Sequence, residues 1–274
     1  MNTIKRVIIV LIIALLAAGC SQSAEPETSD DNVLRVGMEC NYAPFNWTIT
    51  TENEFTQPIS SVDFADGYDV VIASRIAEAL GMELQIVKTD WDNLIPSLNH
   101  DQIDLIIAGM TATEERAKEV NFTTPYYESE HVVIVRKDSE LANITSIQEL
   151  SGYRVTGQLA TIYDEIIDQI DGVTHMTPKE DYPSMVFSLQ NGETDALTAE
   201  LPVAFGVCSA NPDLIYITFE EGNGFVADAT VSIALRKADE DLLSRVQAAL
   251  DNISAEERQQ IMLDAVTRQP AVEE

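Results

Sequence analysis

The chain has 274 residues, 45% of them apolar and 23% charged, enough for two modest lobes or one large domain. Its 46 Asp and Glu outweigh 16 Lys and Arg, and the net charge of −30 makes nucleic acid a poor partner. Three cysteines without a Cys-x-x-Cys spacing, and three scattered histidines, His100, His131 and His175, argue against a metal centre and point to no cofactor.

Lys5 and Arg6 precede an unbroken apolar run from Val7 to Ala18, then Gly19, Cys20 and the polar stretch Ser21 to Asn32. The run is short and close to the amino terminus, so residues 1–19 read as a cleaved secretory signal and not as a membrane span. Leu16-Ala17-Ala18-Gly19-Cys20 resembles a bacterial lipoprotein cleavage site, with its leucine one position early, and implies a lipid on Cys20. Export removes both early cations and leaves 14 bases against 46 acids, a charge of −32 on 255 residues. Such a field opposes docking of the protein surface on anionic lipid. The lipid on Cys20 is therefore the expected membrane tether, weak as a single chain, with residues 20–32 as its flexible leash. Cys40 and Cys208 are far apart and read as two partly buried free thiols.

In the body of the chain, short β-rich runs alternate with helical patterns. Val33 to Met38 predicts a strand, Asp69 to Leu80 a helix stopped by Gly81, and Leu84 to Val87 a second strand. A helix over Asp92 to Asn99 leads into the apolar strand Ile103 to Ile107. Directly after it, Ala108-Gly109-Met110-Thr111-Ala112-Thr113-Glu114-Glu115-Arg116 puts a cation in the first turn of a helix. A helix amino end already carries partial positive charge and unpaired N–H groups, so Arg116 breaks a local rule and suggests a bound carboxylate. Surface pairing with Glu119 or Asp138 is the duller alternative.

His131 to Val135 and Val231 to Leu235, each followed by Arg-Lys, read as the two places where the chain passes between lobes, not as a repeat. Between them lie a strand near Tyr153 to Gly157 and a helix marked by Ile162, Ile166, Ile167 and Ile170. Thr161 and Asp164 form the expected amino-terminal cap pair of that helix, whose first N–H groups would also meet an anion. Met185 to Asn191 is helical, Asp195 to Thr198 a short strand, and Glu200 opens a segment to Ala204; Glu240 to Asn252 and Ala255 to Val266 are amphipathic helices. This is an open α/β pattern with parallel strands, in which ligands collect where strands end and helices begin.

Several pieces in this order and spacing resemble the extracellular solute-binding proteins of polar amino-acid ABC transporters. They are Leu34-Arg35-Val36-Gly37 with Tyr42-Ala43-Pro44-Phe45, Gly67-Tyr68-Asp69, and Thr89-Asp90-Trp91-Asp92-Asn93-Leu94-Ile95-Pro96-Ser97-Leu98. Ile103 to Thr111, Thr113 to Arg116, Phe122-Thr123 and Pro125-Tyr126-Tyr127 continue the pattern. The resemblance implies an α/β, two-lobe periplasmic-binding-protein type II fold with a two-strand hinge. Residues 33–128 would form the first lobe, 129–227 the second, and 228–274 the return to the first.

The same resemblance implies a monomer that closes around a free L-amino acid and delivers it to a membrane permease. By position Arg116 would grip the α-carboxylate in a bidentate pair. Thr111 would add a hydroxyl and an N–H, and the Gly109 carbonyl would accept from the α-ammonium. From the other lobe, Thr161 and the Ile162 N–H would complete the carboxylate site. The family usually has Gly and a small or hydroxylated residue where this chain has Ala160 and Ile162. Glu200 stands where an Asp usually binds the α-ammonium, and is one methylene longer.

Tyr42 and Trp91 would sandwich the ligand side chain with Phe45 nearby, and aromatic faces attract cations by roughly 0.5 to 2 kcal/mol. Glu39 falls at the side-chain-reading position and favours arginine, lysine or histidine, although glutamine-type ligands also tolerate an acid there; Gln158 is a further candidate, from the other lobe. The ordinary readings are a core fate for Trp91 and Tyr42, a solvated Glu39 and a mere cap at Thr161. An enzyme of the same fold, such as a dehydratase, would need a positioned acid or base; Glu39 and Glu200 could serve, but no histidine supports them. A receptor ectodomain would need another membrane span, and nothing after residue 20 is apolar enough.

Overall fold

The computed structural model describes residues 32–269. The signal, the lipidation site at Cys20 and all but the last residue of the leash lie outside the described residues.

Val33–Met38 is the pivot of a five-stranded sheet. Its apolar residues Leu34, Val36 and Met38 are fully buried, and it pairs in parallel with Glu83–Lys88 on one side and Leu105–Ile106 on the other. Parallel partners need long crossovers, and the helices Tyr68–Leu80 and Leu94–Asn99 supply them. Gly81 ends the first of these in the left-handed conformation that the sequence predicts, with φ 68°. Beyond Leu105–Ile106 the sheet turns antiparallel through Ala234–Arg236 and Val120–Phe122, so the all-parallel expectation holds only for its first three strands.

A second five-stranded sheet follows the same plan. Thr174–His175, Arg154–Thr156 and Ala196–Glu200 run parallel, and His131–Arg136 and Leu214–Ile217 complete the sheet antiparallel. Along His131–Arg136 the side chains alternate between two apolar layers: Val132 and Ile134 join the large core that reaches the first sheet, while Val133 and Val135 pack with Leu141, Val155 and Ile167. All four are fully buried, each worth about 1.5 to 3 kcal/mol in apolar transfer.

The two sheets share a charge-assisted staple. Arg35 donates through its backbone N–H and Nε, both at 3.0 Å, to Asp104; Arg154 does the same to Asp195, at 3.0 and 2.9 Å. Arg236 and Arg136 lie beside the same two carboxylates, at 3.3 and 3.7 Å. The two Arg-Lys pairs thus mark equivalent strand ends in the two lobes; of the two runs read as crossings, Val231 lies in the crossing itself, while His131–Arg136 and Ala234–Arg236 are already strands of the lobe sheets. The chain crosses in a short antiparallel ribbon, Tyr127–Glu128 with Thr230–Val231.

A four-stranded antiparallel sheet, Asn41–Tyr42, Asn46–Ile49, Phe64–Asp66 and Gln57–Pro58, caps the first lobe. Gly67 joins it to the Tyr68–Leu80 helix at φ 138°, and a Cβ there would lie 2.2 Å from the Phe45 carbonyl oxygen. Tyr68 and Asp69 N–H bond the Pro44 and Phe45 carbonyls at 3.0 and 2.8 Å, so the chain comes too close for any side chain. Gly67→Ala is expected to destabilise the fold by about 2 to 3 kcal/mol, read as a lower urea midpoint; an unchanged midpoint would contradict the close approach.

Candidate functional site

The expected site residues sit at or just beyond strand carboxy ends. After Val33–Met38 come Glu39, Tyr42 and Phe45; after Glu83–Lys88 comes Trp91; after Leu105–Ile106 come Gly109, Thr111 and Arg116. On the second sheet, Arg154–Thr156 leads to Gln158, Thr161 and Ile162, while Glu200 ends its own strand. Val33–Met38 lies between its two parallel neighbours, a point where the strand order reverses, and at such a point the loops at strand carboxy ends line a crevice.

Among the described residues, four hydrogen-bonded pairs join the two sides of the cleft. Arg116 Nη1 donates to the Thr111 carbonyl at 2.8 Å within its own lobe, and Nη2 reaches the Ala160 carbonyl of the other lobe at 3.0 Å. Trp91 Nε1 donates to that same Ala160 oxygen at 3.0 Å, and the Arg116 guanidinium lies 5.2 Å from the Trp91 ring centre. Gln158 Nε2 lies 3.1 Å from both oxygens of Glu39. The Tyr42 hydroxyl donates to Glu200. Arg116 therefore pairs with neither Glu119 nor Asp138, and Glu39 is buried and not solvated.

The local structure differs from expectation in three respects. The helix that begins at Arg116 is one turn, Arg116–Glu119, too short for an appreciable macrodipole; Arg116 is held by carbonyls and burial instead. Thr161 caps Ile162–Glu165 by accepting from Tyr163 N–H at 3.2 Å, but Asp164 does not complete the pair, because its carboxylate is taken by His175 Nε2 at 2.8 Å. Tyr42 is 5% exposed and packs against Phe45 and Tyr182, with ring centres 5.3 and 5.2 Å away. Its hydroxyl, not a free ring face, reaches the opposite lobe. The Ile162 side chain turns into a small cluster with Tyr163 and Ile166.

Ala160 adopts φ 58°, a left-handed conformation that costs an alanine about 1 to 2 kcal/mol. That turn aims its carbonyl at Trp91 and Arg116. Gly109, at φ 62°, is required for another reason: a Cβ would come within 2.9 Å of the Tyr42 ring.

Trp91 lines two cavities. One, about 190 Å³, is walled by Glu39, Asp90, Asp92, Glu180 and Asp181, with no cationic side chain among the described residues; the other, about 260 Å³, holds Arg116 with Thr113, Met110 and Ala160, and also Asp92, Glu115 and Glu165. Trp91 thus stands between a chamber whose charged side chains are acids alone and one that holds the Arg116 guanidinium. Asp90, Glu180 and Asp181 carried no expectation, because in so acidic a chain nothing distinguishes them before folding places them together.

Burial dominates the electrostatics. It raises Glu39 to about 7 against the Gln158 hydrogen bond, and Glu200 to about 8 against the Tyr42 hydroxyl. Glu200 is fully buried, and its Oε2 has no hydrogen-bond partner among the described residues. Burial also lowers the Arg116 pKa, the mark of a cation taken out of water. Among the described residues no group of His, Cys, Asp and Glu has metal-site geometry. Cys40 and Cys208 are free thiols, each pushed by burial up to about 12.

The sequence pattern of the bacterial extracellular solute-binding proteins, family 3, matches residues 34–264. The chain belongs to this family. A probable histidine-binding protein of Campylobacter jejuni is 31% identical over 205 residues, 74% of each chain. The L-cystine-binding protein TcyJ of Escherichia coli is 30% identical over 247 residues, 88% of this chain and 86% of that one. The crystal structure of the amino-acid ABC transporter substrate-binding protein AbpA from Streptococcus pneumoniae, bound to L-arginine, superposes with TM-score 0.76. It is 25% identical and covers 89% of this chain and 97% of its own. The fold is that of the type II two-lobe binding proteins, and the family is one of binding proteins, not enzymes.

The raised carboxyls fix a pH dependence. Glu39 and Glu200 hold protons more tightly folded than unfolded, so their stabilising effect is full below about pH 4 and lost as pH rises through 7 to 8. Urea midpoints are expected to fall between pH 6 and 8, and the Glu39→Gln, Glu200→Gln double variant to lessen that slope, with the remainder due to Asp69, which burial also raises to about 7. An undiminished slope in the double variant would contradict the assignment.

Proposed function

We propose that this chain is the substrate-binding lipoprotein of an ABC importer, capturing a free amino acid with a cationic side chain and presenting it to its permease. The observation that carries this reading is that Trp91 borders two chambers, one holding the buried Arg116 guanidinium and the other walled by Glu39, Asp90, Asp92, Glu180 and Asp181 with no cation among them. A zwitterion with a cationic tail carries the complementary charges, a carboxylate for the guanidinium and a cation for the acids.

Arg116 spends two of its five N–H donors on carbonyls, which leaves three for an α-carboxylate. Thr111, Thr161 and the Ile162 N–H add donors around it, and the Gly109 carbonyl and Glu200 accept from the α-ammonium. The unpartnered Glu200 Oε2 supports that role, since a buried carboxylate oxygen with no donor is costly. Trp91 flanks the side chain, Tyr42, stacked on Phe45 and packed on Tyr182, holds Glu200 through its hydroxyl, and Glu39, oriented by Gln158, meets the distal cation. The arginine-bound AbpA and the histidine-binding relative favour a basic ligand over glutamine.

The ligand binds first to the lobe that carries Arg116, and closure brings Thr161 and Glu200 against it. Exclusion of water then strengthens each charged contact, and the closed form is selected. Delivery to a permease, a lipid on Cys20 and a monomeric state belong to the same proposal.

Arg116→Ala is expected to weaken L-arginine binding by about 2 to 5 kcal/mol in calorimetry, because a desolvated carboxylate loses its partner; unchanged affinity would reject the role. Glu39→Gln should weaken arginine and lysine far more than glutamine. Equal effects on all three would reject the cationic preference.

A further inference from the structure

Asp69 is fully buried in the first turn of the Tyr68–Leu80 helix, outside the ligand-lining set. Its Oδ1 accepts from the Tyr126 hydroxyl at 2.7 Å, and that hydroxyl oxygen accepts from Gly109 N–H at 3.0 Å. Its Oδ2 accepts from Asn46 Nδ2 at 2.8 Å, and Asn46 Oδ1 accepts from Cys40 N–H at 2.7 Å. The two relays end on the two loops that carry the first lobe's share of the site.

We propose that Asp69 is a positioning residue for ligand binding, one carboxylate fixing the Gly109 loop through Tyr126 and the Cys40 loop through Asn46. A phenol has one proton; with that proton committed to Asp69, its oxygen can only accept from Gly109. A primary amide that donates to Asp69 is likewise forced to turn its carbonyl to Cys40. A carboxylate, an acceptor at both oxygens, is the side chain that sets both orientations at once. Gly109 is thereby held against the Tyr42 ring, and Glu39, next to Cys40, against Gln158. The helix start adds a third tie, through Asp69 N–H to the Phe45 carbonyl.

This proposal rests on the reading of the cleft as an amino-acid site, but its test has a readout that needs no ligand. In the full chain, amide hydrogen exchange at Gly109 and Cys40 is measured beside calorimetry with L-arginine. Tyr126→Phe should raise exchange at Gly109 at least tenfold and leave Cys40 unchanged, while Asn46→Ala should do the converse. Asp69→Asn, with one acceptor oxygen in place of two, should raise exchange at one or both. Each variant should bind L-arginine at least tenfold more weakly while exchange across the second sheet stays as in the parent.

Unchanged exchange at both amides in Asp69→Asn, or equal loosening of both in either single-relay variant, overturns the proposal. Should the parent bind no amino acid, the functional reading fails, and the exchange pattern still decides whether Asp69 holds the two loops.

Discussion

The carbonyl oxygen of Ala160 is the point on which the cleft depends. It accepts from Trp91 and Arg116 of the opposite lobe at once, each at 3.0 Å, and it points there because Ala160 occupies a left-handed turn disfavoured for alanine. A guanidinium drawn out of water needs acceptors, and the Ala160 and Thr111 carbonyls provide them without neutralising it. The charge therefore remains available to a carboxylate, and the Trp91 ring is pinned between the Arg116 chamber and the chamber that holds Glu39.

The architecture explains why such a point exists. Each lobe is a five-stranded sheet locked by the same staple, an arginine in the first of its parallel strands bonded to an aspartate before the third of them, so strand ends are held in register while their loops diverge. Two rigid bodies joined by the ribbon of Tyr127–Glu128 and Thr230–Val231 can move as units. The side chains that meet across the gap, Tyr42 with Glu200 and Gln158 with Glu39, come from loops at the strand ends of opposite lobes.

Much of this was legible before folding, for identifiable reasons. Val33–Met38 and the helix closed by Gly81 carry strong local signals, a buried apolar run and a left-handed stop. The Gly-Met-Thr approach to Arg116 was readable because a cation is out of place at a helix start, although the helix proved to be a single turn. Other features had no local signal. The helix Leu201–Ala210 is apolar nearly all round and so lacks the periodicity that marks a surface helix. The strands Asn41–Tyr42 and Gln57–Pro58 are too short to show alternation. Asp164 seemed a capping residue because sequence spacing cannot reveal that His175 would take its carboxylate. The Arg-Lys pairs hid a symmetry: Arg136 and Arg236 do the same work in two sheets, visible only once Asp195 and Asp104 stand beside them.

The account stands on an α-carboxylate held by Arg116, and the most direct test removes that group from the ligand and not from the protein. Titration calorimetry comparing L-arginine with agmatine, its decarboxylated counterpart, keeps the distal guanidinium and the amine while deleting the anion. Agmatine binding at least a hundredfold more weakly is the predicted result. Equal affinities would mean that the ligand's acidic end is not what the cleft holds.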